Sequence, residues 1–357
     1  MSEEAITHRK EDHIRICLEE RVDGVNTTGL HEFRLEYDAL PEVDLSDVDL
    51  SCEVLGKKLS APLFIGAITG GTERAAKINA NLAKAAEALG IGLCLGSQRA
   101  MIEAPDIAHS FDVKSRCPEL PLVLGNLGAV QLNMGVTPKQ VEAGAERLGL
   151  DGVVFHINPL QEAIQPEGDT CFKGLTQRLH DAVEAISLPC LVKEVGSGIS
   201  ARTADKLAKM PLAGVETAGL GGTSWTLVET YRAPGSTKAA AGEALASFGV
   251  PTAESILECR RAFDSRLGVA SGGIRTGYEA AVELALGADA VATARPVLEA
   301  ALESSKAVCE VLERVLEGLR VTMFGCGCTK PEELQRAPFA RVPEWAKLRL
   351  GSRVEEG

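Results

Sequence analysis

The sequence predicts an α/β fold, a (β/α)8 TIM barrel with an N-terminal cap segment and a C-terminal helical extension. Two observations support this prediction. Short apolar runs alternate with amphipathic helical patterns from about residue 62 onward, and nearly every unusual polar residue directly follows one of those runs. Short strands that alternate with helices pair in parallel, and eight such units favour closure into a barrel over an open, doubly wound sheet, which is the alternative.

Eight apolar runs are the candidate barrel strands. They cover residues 63–68, 91–95, 122–124, 152–155, 190–192, 214–215, 267–270 and 288–291. Between them, apolar residues recur with the period of a helix, for example over residues 75–88, 138–148, 203–210 and 278–286. A length of 357 residues suits a single barrel with insertions.

The pattern divides the chain into three parts. Residues 1–61 are expected to form a helix and a hairpin-like cap over the N-terminal side of the barrel, which spans residues 62–296. Residues 297–357 are expected to form one long helix, 298–320, and a tail. The stretches 158–174 and 218–249 are predicted to be mobile loops, the second because Gly, Ala and Ser offer little to pack.

Composition and charge exclude several classes of protein. The net charge of −13 disfavours nucleic acid as a partner, because phosphate backbones require a basic face, but a small phosphate ligand remains compatible. No apolar stretch is long enough to span a membrane, and residues 1–21 contain no apolar signal core. The ten cysteines are scattered, which indicates a reducing cytoplasm; the one close pair, Cys326 and Cys328, is a weak indication of metal.

Polar residues concentrate where the predicted strands end. They lie in segments 67–72, 96–99, 125–128, 156–162, 193–194, 219–223, 271–275 and 292–296. A barrel brings the ends of its strands into one ring, so these segments become neighbours despite their separation along the chain. This convergence predicts a single active site.

The last two strand ends indicate a phosphate site. Gly272 and Gly273 allow a close backbone approach, and the helix that begins after Ile274 offers free N–H groups. Pro296, after Arg295, suits the first position of another helix. Many barrels bind a cofactor phosphate between these two loops. The alternative is that the glycine pair only permits a tight turn.

Lys193 ends an apolar strand, where a lysine that faces the barrel mouth requires a negative partner. It is either a Schiff-base lysine, a cation beside an anionic flavin ring, or the partner of a carboxylate such as Glu194 or Glu216. Asn126 is able to bond the edge of a planar heterocycle, or else to cap its own loop.

Six short motifs occur in a fixed order along the chain: Arg9-Lys10-x-x-His13-Ile14, Ala67-Ile68-Thr69-Gly70-Gly71, Gly96-Ser97-Gln98-Arg99, His156-x-Asn158-x-x-Gln161-Glu162, Val192-Lys193-Glu194-Val195-Gly196 and Gly221-Gly222-Thr223-Ser224-Trp225. Together they resemble the type 2 isopentenyl-diphosphate isomerase family, over residues 9–317. The resemblance implies an FMN-dependent barrel of isoprenoid biosynthesis that interconverts isopentenyl and dimethylallyl diphosphate. It also implies reduced FMN, Mg2+, NAD(P)H as reductant, and a homo-oligomer, a tetramer or an octamer.

The resemblance also implies roles for individual residues. Those that would hold the flavin are Ala67, Ile68, Thr69, Ser97, Asn126, Lys193, Thr223, Gly273, Arg275, Ala294 and Arg295. Those that would hold the substrate diphosphate are Arg9, Lys10, Ser97, Gln98, Arg99, His156, Asn158 and Gln161. Glu162 would hold Mg2+, and Lys193, His156 and Gln161 would assist a flavin whose N5 is the principal acid and base. Ile68 departs from the family, in which methionine is frequent at this position.

Simpler interpretations remain open for several of these residues. Glu162 on a loop is otherwise solvated surface, His156 is otherwise a buried structural imidazole, and Arg9 with Lys10 is otherwise a solvated terminus. Two other functions share the predicted fold, namely an FMN-dependent 2-hydroxy-acid oxidase or dehydrogenase and a non-catalytic flavin-binding barrel. The first requires a histidine base near the late strands, and no histidine follows them.

Overall fold

The computed structural model describes residues 3–24 and 27–342, with side chains from residue 8 onward. One α-helix and three strands precede the barrel among the described residues: α1 (Glu3–Glu19), β1 (Phe33–Leu35), β2 (Cys52–Val54) and β3 (Lys57–Leu59). β2 and β3 form an antiparallel hairpin. No helix within the described residues is long and apolar enough to cross a membrane.

Eight parallel strands form a closed barrel, which confirms the predicted fold and excludes the open sheet. The strands are β4 (Leu63–Ile65), β5 (Gly92–Cys94), β6 (Val123–Gly128), β7 (Gly152–His156), β8 (Cys190–Lys193), β9 (Gly214–Glu216), β10 (Leu267–Ser271) and β11 (Ala290–Thr293). β11 pairs with β4 in parallel, with Val291 opposite Leu63, and this pairing closes the ring. All eight apolar runs of the sequence therefore correspond to barrel strands.

Helices connect and surround the strands. They are α2 (Glu73–Leu89), α3 (Arg99–Glu103), α4 (Pro138–Leu148), α5 (Pro159–Ile164), α6 (Leu175–Ala185), α7 (Ala201–Leu207), α8 (Trp225–Arg232), α9 (Thr237–Ala244), α10 (Thr252–Phe263) and α11 (Gly277–Ala285). Local signals explain several boundaries: Thr72 caps α2 through a hydrogen bond from the Ala75 N–H, and Gly90 ends the helix with φ 63°.

The two ends of the barrel are covered by different parts of the N-terminal segment. Val54 and Leu59 of the hairpin pack in the barrel interior with Phe64, Leu124 and Leu191. The hairpin therefore lies at the N-terminal end of the barrel. α1 lies at the opposite end, where its side chains line the cavity described below.

The C-terminal part differs from the single helix predicted over residues 298–320. Two helices replace it, α12 (Leu298–Glu303) and α13 (Ser305–Gly325), followed by α14 (Pro331–Leu334) and β12 (Phe339–Arg341). Ser304 is extended, with φ −162° and ψ 163°, and its side chain accepts a hydrogen bond from the Ala307 N–H. A serine in this position begins a new helix rather than continuing the old one. β12 pairs with β1, and residues 343–357 of the predicted tail lie outside the described residues.

The prediction of loops over residues 158–174 and 218–249 is wrong for much of their length. These stretches contain α5, α8 and α9, which pack on one another. Small residues permit this packing: a Cβ on Gly242 would lie 2.3 Å from Thr230 Oγ1. Thr230 Oγ1 in turn donates to the carbonyls of Thr226 and Ala239. A composition that suggests disorder here serves close helix contact instead.

Glu283 of α11 provides a stability prediction. It is fully buried, and neither carboxylate oxygen has a hydrogen-bond partner among the described residues. Burial, with Glu279 nearby, raises its pKa well above the ordinary value. A carboxyl whose pKa is raised by folding loses stability as the pH rises above its unfolded pKa. We expect Glu283→Gln to raise the free energy of unfolding at pH 8 by about 1–3 kcal/mol, with a smaller gain at pH 5.

Urea unfolding at both pH values measures this effect. Glu313→Gln, on the exposed face of α13, is the matched control and is expected to change stability at neither pH. Destabilisation by Glu283→Gln at pH 8 would contradict the prediction.

Candidate active site

A cavity of about 640 Å3 opens at the C-terminal ends of the barrel strands. Residues from the ends of the strands and from α1 line it, as the convergence of polar segments predicts. Every residue assigned to the site from the sequence lies on its wall except Gln98. Gln98 is buried behind the wall, where its Oε1 accepts a hydrogen bond from the Asn126 N–H at 3.2 Å. In this structure Gln98 supports Asn126 and does not face the ligand space.

Lys193 is buried at the base of the cavity. Its Nζ donates to the Glu194 carbonyl at 2.7 Å and lies 4.0 Å from Glu216 Oε1. The Glu194 carboxylate is occupied elsewhere, because Oε2 accepts from the N–H groups of residues 195–197. Glu216 also accepts from Ser271 Oγ at 2.8 Å. Lys193 therefore has one distant carboxylate and a surface on the cavity, an arrangement that suits a second anionic partner.

Two glycine-containing loops, which carry Gly221 and the pair Gly272 and Gly273, meet at one side of the cavity. Gly272 and Gly273 have φ values of 115° and 107°, and a Cβ on Gly273 would lie 2.5 Å from the Gly221 carbonyl oxygen. Only glycine fits at such a contact in this backbone region. The glycine pair therefore serves a tight turn, and the backbone is also left accessible at the cavity wall, as a phosphate site requires.

Asp23, which was not predicted from the sequence as a site residue, lies beside this region. Its carboxylate accepts hydrogen bonds from Arg275 at 2.7 Å and from Arg295 at 2.6 Å. The backbone before it is fixed by the Ser224 N–H, which donates to the Val22 carbonyl. The two arginines assigned to the flavin are thereby connected to the segment that follows α1.

The residues on this side fit a flavin mononucleotide. Thr69 Oγ1 is buried and has no partner among the described residues, so it is able to bond a ligand. Lys193 and Asn126 lie on the same wall, and the glycine loops and two arginines stand where a phosphate is expected. These groups are a cation, hydrogen-bonding polar atoms and an anion site, which together suit an isoalloxazine ring with a phosphate tail.

Glu162 and Asn158 lie on the other side. Asn158 Nδ2 donates to Glu162 Oε1 at 2.9 Å, and the Asp169 N–H donates to Glu162 Oε2 at 2.6 Å. Burial raises the pKa of Glu162, although the two hydrogen bonds act to lower it. Asn158 Oδ1 is buried and has no partner among the described residues. A carboxylate and an unpartnered amide oxygen are hard oxygen ligands, so this pair fits Mg2+.

Three cationic residues line the same cavity as Glu162 and Asn158. They are Arg9, Lys10 and Arg99. Burial and the charge of Arg9 lower the pKa of Lys10 to about 8, and burial followed by Arg99 lowers the pKa of Arg9. Neighbouring cations repel one another, and a bound anion would relieve this repulsion. Two arginines and a lysine therefore suit a diphosphate.

A hydrogen-bond network that was not predicted from the sequence holds α1 in place. Glu229 of α8 accepts from His13 at 2.9 Å, from Gln161 at 3.2 Å and from Arg232 at 2.6 Å. Burial opposes ionisation of Glu229, but the hydrogen bond from His13 and the charges of His13 and Arg232 lower its pKa to about 2. No sequence signal marks Glu229, because its stretch was interpreted as a loop and its partners are remote in sequence.

His156 is neutral in this environment. Burial, followed by Lys193 and Lys10, lowers its pKa to about 3, and its Nδ1 lies 2.8 Å from Asn126 Oδ1. Because the folded-state pKa is below the unfolded one, the unfolded chain binds the extra proton and stability falls as the pH drops below about 6.5. We expect His156→Gln to reduce the difference in unfolding free energy between pH 8 and pH 5 by about 2 kcal/mol.

Urea titrations at the two pH values measure that difference. The exposed His31, replaced by glutamine, is the control and should leave it unchanged. An identical pH 8 to pH 5 difference in wild type and His156→Gln would show that folding does not lower the pKa of this imidazole.

The fold and site define a class. The chain matches the FMN-dependent dehydrogenase family over residues 15–112 and 174–341. Solved structures of mandelate oxidase with (S)-4-hydroxymandelic acid and of an (S)-mandelate dehydrogenase chimera share the fold, each with a TM-score of 0.63. They are 17% and 20% identical, covering 96% and 93% of this chain and 99% and 98% of theirs. The protein is therefore a (β/α)8 barrel of the FMN-dependent dehydrogenase family.

Curated relatives define the family more narrowly. The isopentenyl-diphosphate delta-isomerase of Mycolicibacterium vanbaalenii is 46% identical, over 95% of this chain and 98% of the relative. The enzymes of the same name from a Synechococcus strain and Deinococcus radiodurans are 44% and 43% identical, over 90% and 92% of this chain and 93% and 97% of theirs. The chain belongs to the isopentenyl-diphosphate delta-isomerase family, in its FMN-dependent type 2 form.

Proposed function

We propose that the protein interconverts isopentenyl diphosphate and dimethylallyl diphosphate by a 1,3-allylic proton shift. When bound, reduced FMN would supply the acid and the base, Mg2+ held by Glu162 would bind the diphosphate, and NAD(P)H would supply the reduction. One observation carries the proposal: a single cavity joins the flavin side, with Lys193 and the glycine loops, to an anion side with Arg9, Arg99 and Glu162. The names of the relatives point to the same reaction.

Moving a double bond by one carbon requires a proton at one end of the alkene and removal of a proton at the other. Protonation creates positive charge at a tertiary carbon, which needs a dry, electron-rich surface. When bound, reduced FMN supplies that surface and an exchangeable proton at N5. Ile14 and Leu18 of α1 line the cavity together with Ile68, and they exclude water from the reacting carbons.

The protein groups position the substrate and set its charge environment. Lys193 balances negative charge on the ring, while Arg9, Lys10 and Arg99 bind the diphosphate. Asn158 and Glu162 would hold Mg2+, which would neutralise the remaining charge of the diphosphate. His156 and Gln161 also line the cavity. Neutral His156 offers one ring nitrogen for hydrogen bonding without adding charge.

Anaerobic incubation of the reduced holoprotein with isopentenyl diphosphate and Mg2+ in D2O tests the proposal. We expect deuterated dimethylallyl diphosphate, and no product with oxidised FMN or with a chelator present. Flavin reduction by lactate or glycolate would instead indicate a 2-hydroxy-acid dehydrogenase. That reaction lacks its histidine base here, because no histidine of the sequence follows β9, β10 or β11. A flavoprotein inactive in both assays would be a non-catalytic binder.

We further propose that the enzyme works in the cytoplasm as a homo-oligomer, a tetramer or an octamer. All ten cysteines are free, which suits a reducing compartment. Sedimentation equilibrium of the holoprotein tests the oligomeric state.

A further inference from the structure

We infer that Asp169 is a positioning residue that couples the metal side of the site to the cation Arg99, an inference that rests on the proposed function. Its backbone N–H donates to Glu162 Oε2 at 2.6 Å, while its side chain pairs with Arg99 Nη1. One residue thus contacts both a proposed Mg2+ ligand and a proposed diphosphate ligand, through different atoms.

The segment that carries Asp169 is packed tightly against the metal side. A Cβ on Gly168 would lie 1.9 Å from the Glu162 carbonyl oxygen, so this position admits only glycine. Gly168 is followed at once by the N–H that binds the Glu162 carboxylate. The distance between Glu162 and the backbone of residue 169 is therefore set by direct contact.

Two further side chains complete the link on the cation side. Gln131 Nε2 donates to Asp169 Oδ2 at 3.1 Å and fixes the carboxylate from the β6 end. Arg99 is held a second time, because its Nε donates to Glu103 Oε1 at 2.7 Å. Asp169 and Glu103 both neutralise Arg99, but between them only Asp169 also contacts Glu162.

This difference makes Glu103 the matched control. Loss of either carboxylate removes one negative charge from Arg99. Loss of the Asp169 charge also weakens the hold of Arg99 and Gln131 on residue 169, so the N–H at Glu162 is positioned less firmly. Groups that orient metal ligands in this way typically change metal affinity by about 10- to 100-fold. Asp169 should therefore affect how strongly metal and diphosphate favour each other, and Glu103 should not.

The test measures binding of inorganic pyrophosphate to FMN-loaded protein by calorimetry, with and without Mg2+. The ratio of the two dissociation constants is the coupling between metal and diphosphate. We expect Asp169→Asn to reduce this ratio by about tenfold, Gln131→Ala to reduce it less, and Glu103→Gln to leave it unchanged. Flavin absorbance should show equal FMN occupancy in all four proteins.

Three other results would contradict the metal role or the role of Asp169. If the wild type shows no effect of Mg2+ on pyrophosphate binding, the proposed metal role fails. If the wild type shows coupling and Asp169→Asn retains it, the inference about Asp169 is wrong. Tighter binding of pyrophosphate alone by Asp169→Asn, with an unchanged ratio, would mean that Asp169 only competes with phosphate for Arg99, which also overturns the inference.

Discussion

Glu162→Gln is expected to abolish most Mg2+-dependent turnover while FMN stays bound. Glutamine keeps the size of the side chain but loses the charge that a divalent cation requires. Glu162 is buried and its two oxygens are oriented by Asn158 and the Asp169 N–H, so the carboxylate is preorganised for a ligand. We expect kcat/KM at a fixed Mg2+ concentration to fall more than about a hundredfold. This is a larger effect than the loss of a group that only orients a metal ligand.

Turnover as a function of Mg2+ concentration, with flavin absorbance measured in parallel, checks this prediction. Glu167→Gln is the control, because Glu167 lies on the same connection but pairs with Arg232 and is not on the cavity wall. Its Mg2+ dependence should match that of the wild type. Loss of flavin from Glu162→Gln, with unchanged Mg2+ dependence in the remaining holoprotein, would refute the assignment.

The second large effect is expected from Lys193→Met. Removing the ammonium leaves the buried Glu216 carboxylate beside the flavin side with Ser271 as its hydrogen-bond donor. Negative charge on a bound reduced flavin then loses a cation and faces an uncompensated anion. We expect turnover to fall by about 100- to 1000-fold, the range seen when one preorganised electrostatic group is lost. The pKa at which the reduced flavin becomes anionic should rise.

Absorbance spectra of the anaerobically reduced flavin across pH, together with turnover, test this. Lys193→Met combined with Glu216→Gln removes the stranded charge and should partly reverse the rise in flavin pKa. Lys193→Arg should keep the flavin anionic, because the positive charge is retained. A Lys193→Met protein with wild-type flavin spectra and turnover would show that Lys193 does not face the ring.

Local signals in the sequence predicted most of the fold. All eight strands were marked by apolar runs, because both faces of a parallel barrel strand are buried. The prediction of one long helix over residues 298–320 was wrong. Most of these residues are helical, but Ser304 caps a second helix and so interrupts the first. The prediction of a loop over the stretch that contains α8 and α9 was also wrong. Small residues are abundant both in flexible linkers and where two helices pack closely, so composition does not distinguish the two.

Within the site, the residues that follow strands were foreseen, and those that approach from elsewhere were not. Lys193, Asn126 and Glu162 stand at positions that any closed barrel brings together. Asp23 and Glu229 belong to the N-terminal segment and to a long connection, whose positions depend on packing between remote elements.

Local patterns in the sequence are enough to predict an eight-stranded parallel barrel with its polar residues at one end, because apolar runs and the polar residues that follow them are local properties. The hydrogen-bond partners within the site could be identified only from the folded structure. Gln98 lies behind the wall, Glu194 bonds its own backbone, and Asp169 contacts both Arg99 and Glu162. Such pairings depend on distances between segments far apart along the chain, which arise when the core packs.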